Sequence, residues 1–258
     1  MSFPTWSDLN DRAIIQPYGA RPGFESGAVA VMVSTAPDFN YLKANARGNT
    51  CSPLFMGSVF TETEKGASFT GPHMGAPYAT MVEEALIAKG ARTLLVFGWC
   101  GSLSTDLAIG DIVLVDGAIA DEGTSRNYME PGEDFPRILP DSDLRARLGN
   151  ELSAGGIAFK SGTLWTTDGI YRETPKKVEF FRNRGAAGVD MECSALFAVG
   201  RYRKVRMAAI LVVSDELGTM TWKPGFKSKS FKAARKQVAD LLLDLSRRDF
   251  CLPDLSRA

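Results

Sequence analysis

Apolar positions along the chain follow two rhythms. Short β-branched runs with few polar breaks occur at 28–34 (AVAVMVS), 93–99 (TLLVFGW), 111–120 (DIVLVDGAIA), 157–165 (IAFKSGTLW) and 207–216 (MAAILVVSDE). Such runs predict strands, mostly buried on both faces. Between them, 76–90 (APYATMVEEALIAKG) has helical apolar spacing and stops at Gly90. The segment 142–156 is amphipathic behind Asp141 or Ser142 as cap, and 174–185 opens on Thr174 and Pro175 and ends at Gly185. A long helix with one apolar stripe is predicted over 225–248.

Strands alternating with helices predict a single α/β domain over 1–258, built around a largely buried sheet. Residues 1–27, rich in Pro and Gly, read as an irregular arm. Residues 121–140 (DEGTSRNYMEPGEDFPRILP) read as a long loop, and loops of that length in compact domains often carry function. Arg126 and Tyr128 lie in it, placed to cap a pocket.

Composition removes several function classes. The 258 residues are 45% apolar and 23% charged, with 30 basic and 30 acidic side chains, so no global field points to nucleic acid or an anionic membrane. The basic clusters at 201–206 and 227–236 read as solvated helix faces. No apolar run is long enough for a membrane span, and the N-terminal residues do not read as a signal peptide. Cys51, Cys100, Cys193 and Cys251 are scattered, which argues against a zinc site or a disulfide framework and predicts a cytoplasmic protein. With His73 the only histidine, a Ser–His–Asp or Cys–His scheme has little to run on. His73 itself reads as a hydrogen-bonded turn residue that borders the pocket.

One triplet stands out. In GVDMECSALFAVG (188–200), Asp190 and Glu192 flank Met191 just where an apolar helix begins. Asp190 reads as the cap of that helix, near Cys193. Asp215 follows another buried run, and ligands of open α/β sheets sit at the carboxyl ends of strands. Asp190, Glu192 and Asp215 are therefore expected around one crevice, with Tyr171 and Arg172 nearby. Trp99 and Trp165, at strand ends, are placed either to stack on a ligand or simply to pack.

GVDMECSALFAVG with SDEL some two dozen residues on, together with GPHMGAPYATMVEEALIAKGARTLLVFGWCGSL (71–103), GDIVLVDGAIADEGTSRNY and TLWTTDGIYRET, resembles the nucleoside phosphorylase/uridine phosphorylase family, which also contains nucleosidases. The resemblance runs from about residue 28 to about 235. It implies a three-layer αβα sandwich around a mixed central sheet, cleavage of a ribosyl–base bond without metal or organic cofactor, and a homo-oligomer, either a dimer or a trimer of dimers. By position, Glu192 would hold the ribose hydroxyls and Met191 would pack on the sugar. Val189, Ile170, Cys100 and Gly101 would border the base, and Asp215 would protonate a purine.

The phosphate site departs from the family pattern. The turn usually of GDPxR type reads Thr35-Ala36-Pro37-Asp38-Phe39, the arginine before the GTxG-like turn is Val96 or Phe97, and Trp99 replaces a small hydroxyl residue. The arginine that a neighbouring subunit usually lends aligns near Ser58. A dianion needs cations or backbone amides, so two alternatives stay open. Either Arg47, Arg126 and Arg172 are relocated phosphate ligands in a purine nucleoside phosphorylase-like enzyme, or water is the nucleophile and the enzyme is a nucleosidase. A non-catalytic nucleoside-binding protein is the alternative from a different class.

Overall fold

The computed structural model describes residues 9–17, 25–47, 50–62, 66–248 and 250; parts of the expected N-terminal arm, and Cys251, lie outside them. The first half of the chain comprises β1 (Val29–Val33), α1 (Ala36–Asn45), β2 (Thr50–Leu54), β3 (Gly57–Thr61), β4 (Ser68–Gly71), α2 (Ala76–Ala88), β5 (Thr93–Ser102) and β6 (Ile112–Asp121). The second half comprises β7 (Arg137–Ile138), α3 (Ser142–Ala154), β8 (Lys160–Thr167), α4 (Pro175–Asn183), β9 (Ala186–Asp190), α5 (Cys193–Tyr202), β10 (Arg206–Glu216), β11 (Lys223–Pro224) and α6 (Lys229–Ser246). Short 3-10 turns lie at Ser125–Tyr128 and Ile170–Arg172.

All eleven strands belong to one mixed sheet. Its alternation divides the core in two. Ala30 and Met32 of β1 pack with Val82 and Leu86 of α2 and Leu196 and Phe197 of α5. Val31 and Val33 face the other way, toward Phe39 and Leu42 of α1, Leu148 of α3 and Val238 of α6. Helices thus cover both faces, giving the expected three-layer α/β architecture. A smaller cluster joins Val178 and Phe181 of α4 to Trp165 and Val189. Trp165 is fully buried, stacked on Phe181 at 4.5 Å, with its indole N–H donated to Asp121 at 3.1 Å. It is a packing residue.

The five predicted strands correspond to β1, β5, β6, β8 and β10, and the five predicted helices to α2, α3, α4, α6 and, beginning at Cys193, α5. Asp141 caps α3 by accepting the Leu144 N–H at 2.8 Å. Thr174 occupies the cap position of α4 without a capping hydrogen bond. The β2–β3 hairpin and α1 escaped the pattern for a physical reason: β2 is largely exposed, and α1 buries only Asp38, Phe39 and Leu42, so neither carries a strong apolar rhythm. The loop 121–140 holds a 3-10 turn and β7 and packs over α5, with Tyr128 edge-on to Tyr202 at 5.5 Å. It does not cap the pocket described below; its aromatic residue is spent on helix packing instead.

β10 pairs with β5 on one side and with β6 on the other, and the order β10–β6–β8–β9–β5 therefore returns to β10. At the closing point Gly101 of β5 pairs with Val189 of β9 and with Asp215 of β10. A bulge between Val213 and Asp215 leaves Ser214 as the extra residue, which re-aims the side chains that follow. Space there is tight: a Cβ on Gly101 would meet Leu217 Cδ1 at 2.7 Å and Val189 Cγ1 at 3.1 Å, so those side chains would have to shift.

Phe97→Ala, at a fully buried position of β5, is expected to cost about 3–5 kcal/mol. Met81→Ala, at an exposed position of α2, should stay within about 0.5 kcal/mol of the parent. Urea unfolding of both variants checks the assignment of inward and outward faces.

Candidate active site

Beside the closing point lies a cavity of about 510 Å³. Glu192 and Met191 come to it from the β9–α5 junction, Val189 from β9, Cys100 and Gly101 from β5, Ile170 from the turn after β8, and Asp215 from β10. All seven residues singled out for sugar, base and proton transfer therefore line one space. Arg47, Arg126 and Arg172 do not line it. Arg47 sits beyond α1 with its backbone N–H on the Glu62 carboxylate at 3.0 Å, and Arg126 and Arg172 are exposed on the two 3-10 turns. The expected convergence of these arginines on the pocket is not seen: Arg47 and Arg126 lie on elements that do not reach the cavity, and Arg172, although on the same turn as Ile170 and Tyr171, is exposed and does not line it.

The acidic triplet divides its labour by geometry. Asp190 Oδ2 accepts the N–H groups of Cys193 at 2.7 Å and Glu192 at 3.1 Å, and Oδ1 accepts the Thr166 hydroxyl at 2.6 Å. It satisfies the first turn of α5, the capping role read from the sequence. Glu192 points instead into the cavity, where Oε1 accepts the Gly75 N–H at 2.6 Å. Gly75 has φ +82°, a conformation that favours glycine and aims that N–H across the β4–α2 turn. Burial, and then the neighbouring Asp190, pushes the Glu192 carboxyl up to about 8.

At the opposite side Asp215 Oδ1 accepts the Ser214 hydroxyl at 2.6 Å and Oδ2 accepts the Trp222 indole N–H at 2.8 Å. Glu173 also lines this side, and burial followed by the Asp215 charge raises it to about 7. Burial pushes the Cys100 thiol well up, with Asp190 and Asp215 adding to it; it is therefore a wall rather than a nucleophile. Glu173, Trp222, Phe226 and Leu217 were not singled out from the sequence. The aromatic pair in TWKPGF, soon after SDEL, was the signal available for two of them.

The third region is bordered by Ser34, Thr35, His73 and Trp99. His73 is buried in the pocket wall rather than a satisfied turn residue: Nε2 is 3.5 Å from the Ser34 hydroxyl, Nδ1 has no partner among the described residues, and desolvation lowers it to about 4. It is neutral at physiological pH. Trp99 donates its indole N–H to Asp38 at 2.7 Å, while Arg235 binds the same carboxylate at 2.7 Å and lies 4.7 Å from the Trp99 ring centre. Among the described residues no lysine or arginine lines the cavity, whereas four carboxyl groups do. Among the described residues no cluster of three or more His, Cys, Asp or Glu side chains is arranged to hold a metal, and no helix is long and apolar enough to cross a membrane.

Because Glu192 binds its proton more tightly in the folded protein than in the unfolded chain, its contribution favours folding at low pH and is lost as pH rises from about 4.5 through about 8. The parent should therefore melt lower at pH 9 than at pH 6. Glu192→Gln keeps an acceptor for Gly75 and should show a drop smaller by several degrees, part of the slope remaining from Glu173 and the buried Glu83, which are also raised. Calorimetric melts at the two pH values measure it.

A purine nucleoside phosphorylase of DeoD type from Clostridium novyi is 32% identical over 163 residues, 62% of this chain and 69% of the relative. A guanosine phosphorylase from Halorubrum lacusprofundi is 30% identical over 210 residues, 81% of this chain and 80% of the relative. Among solved structures, the fold is similar to a purine nucleoside phosphorylase from Toxoplasma gondii in complex with immucillin-H, with a TM-score of 0.77 at 18% identity, covering 86% of this chain and 91% of that one. It is also similar to an AMP nucleosidase from Bacteroides thetaiotaomicron, with a TM-score of 0.67 at 20% identity and coverage of 86% and 91%. The phosphorylase superfamily model matches residues 23–247, and with the cavity at the strand ends this places the chain in that superfamily.

Proposed function

We propose that this protein cleaves the N-ribosidic bond of a purine-type nucleoside, with phosphate as the acceptor. The observation that carries the reading is the opening of Glu192 and Asp215, 23 positions apart in the sequence, onto one cavity floored by Met191, Val189 and Gly101. Breaking the bond builds positive charge on the sugar and negative charge on the base. Glu192, ionised when it accepts the ribose hydroxyls, favours the first; Asp215 relieves the second by giving a proton to the imidazole ring of the base. Met191 forms the apolar floor under the sugar. Ile170, Val189, Cys100 and Gly101 border the base, and the small Gly101 lets it approach the sheet.

The names of the similar guanosine and purine nucleoside phosphorylases support phosphate as acceptor. One observation favours water as a second reading: among the described residues no cation lines the cavity. A homo-oligomer belongs to the same proposal, because Phe55, Met56, Met74 and Met81 expose apolar surface around the β2–β3 hairpin and the start of α2, and Met74 also lines the cavity. So does a cytoplasmic location, to which the free thiols of Cys51, Cys100 and Cys193 are suited. One domain is proposed to carry the whole site, as all strands share one sheet.

Incubated with inosine, guanosine or adenosine, the protein is expected to release the base and a sugar 1-phosphate only when phosphate is present. Free ribose formed at an undiminished rate without phosphate would transfer the reaction to hydrolysis, and binding without any cleavage would leave a nucleoside-binding protein. Glu192→Gln and Asp215→Asn should each lower kcat/KM by about 10²–10³-fold, measured by base release under steady-state conditions.

A further inference from the structure

The TWKPGF segment has no part in the reaction as described so far, yet it touches the acid at its centre. β11 pairs antiparallel with the end of β10, with Lys223 opposite Glu216 and Pro224 opposite Asp215. This hairpin folds the chain back so that Trp222, seven residues after Asp215, lies over the carboxyl group it donates to. The return is held close to the sheet: the Gly225 N–H is donated to Ser214 O at 2.8 Å, and a Cβ on Gly225 would meet Ile109 Cγ2 at 2.3 Å. Trp222 lines the cavity and is nevertheless 59% exposed. Phe226 is its ring neighbour, at 6.3 Å. A ring anchored by its backbone but packed on one side has room to move.

The two hydrogen bonds to Asp215 have a chemical consequence. An N–H donated to a carboxyl oxygen makes a stronger hydrogen bond when that group is ionised than when it is protonated. Oδ1 has an alternative arrangement, because the Ser214 hydroxyl lies 3.2 Å from the carbonyl of Cys100 and can turn to it. Oδ2 accepts from the indole alone among the described residues, and that hydrogen bond is weaker when the carboxyl group is protonated than when it is ionised.

We propose that Trp222 is the positioning residue of Asp215, holding Oδ2 toward the cavity in the free site, yielding it to the arriving base, and returning its N–H as the base departs. This deepens the purine-cleaving reading above and rests on it. In the step itself, the bond between the anomeric carbon and the base nitrogen breaks and its electron pair moves into the base. The proton that Asp215 took from solvent goes to N7, and the acceptor oxygen bonds the anomeric carbon. Asp215 is left ionised, the form that the Trp222 N–H stabilises. The indole thus favours the end of proton transfer over its beginning, which is where a donor accelerates a reaction.

The test separates proton transfer from ring packing. Trp222→Phe keeps an aromatic wall and removes the N–H. Guanosine needs a proton at N7 to leave; 7-methylguanosine already carries a cationic base and does not. With the acceptor established above, Trp222→Phe is expected to lower kcat for guanosine about tenfold with KM within about twofold, and to change kcat for 7-methylguanosine by less than about threefold. Asp215→Asn should show the same selectivity more strongly, and Trp222→Gln, which retains an N–H donor, should recover part of the guanosine rate. Equal losses on the two substrates, or no loss, would overturn the proposal and leave Trp222 as a wall of the pocket. If the parent cleaves neither substrate, the purine-cleaving reading falls and takes this one with it. Thermal melts of both Trp222 variants confirm that the comparison is between folded proteins.

Discussion

Three strand ends meet at a residue with no side chain. Gly101 is hydrogen-bonded in register between Val189 and Asp215, and a methyl group there would press on Leu217 and Val189. That contact closes the circuit of β5, β9, β8, β6 and β10. It also brings the β9–α5 junction, with Glu192, to the same opening as the end of β10, with Asp215. A larger residue at 101 would have to displace the Leu217 and Val189 side chains that border this opening.

Around that meeting point the protein concentrates acids and keeps cations away. Glu173, Asp190, Glu192 and Asp215 line the cavity, and among the described residues no lysine or arginine joins them. Such an arrangement is costly when all four are ionised. The cost is contained in two ways. Asp190 is tied down by backbone amides of α5 and by Thr166, while Glu192 and Glu173 are raised toward neutrality by burial and by their acidic neighbours. A cavity of this kind suits a ligand that brings hydroxyl donors and develops positive charge on a sugar. It does not by itself suit a dianion.

At the region where family relatives would place an anion, the chain has built a closed internal network. Asp38 is buried and accepts hydrogen bonds from Thr35, Trp99 and Arg235. The Arg235 guanidinium, behind this wall, is thus paired with Asp38 and stacked on the Trp99 ring. The ion pair joins α6 to α1 beside the Tyr41–Asp240 hydrogen bond and their shared apolar cluster, so the network serves packing as well as the pocket wall. It accounts for the departures of Thr35–Phe39 and of Trp99 from the phosphate-binding pattern together, since Asp38 and Trp99 are partners of each other.

What the sequence determined by itself was what depends on local chemistry. Apolar runs and caps specified β1, β5, β6, β8, β10 and the helices α2 to α6, because burial and helix periodicity are written residue by residue. The motif around Asp190, Met191 and Glu192 announced both the cap and a junction that lines the cavity. Tertiary structure alone decided what depends on distant segments touching. The bulge at Ser214, the closure at Gly101, the failure of Arg47, Arg126 and Arg172 to converge, the burial of His73 and the hold of Trp222 on Asp215 all follow from which strand ends meet. Spacing along one chain says nothing of that, because a hydrogen bond between residues far apart in sequence is chosen by the packing of the whole sheet.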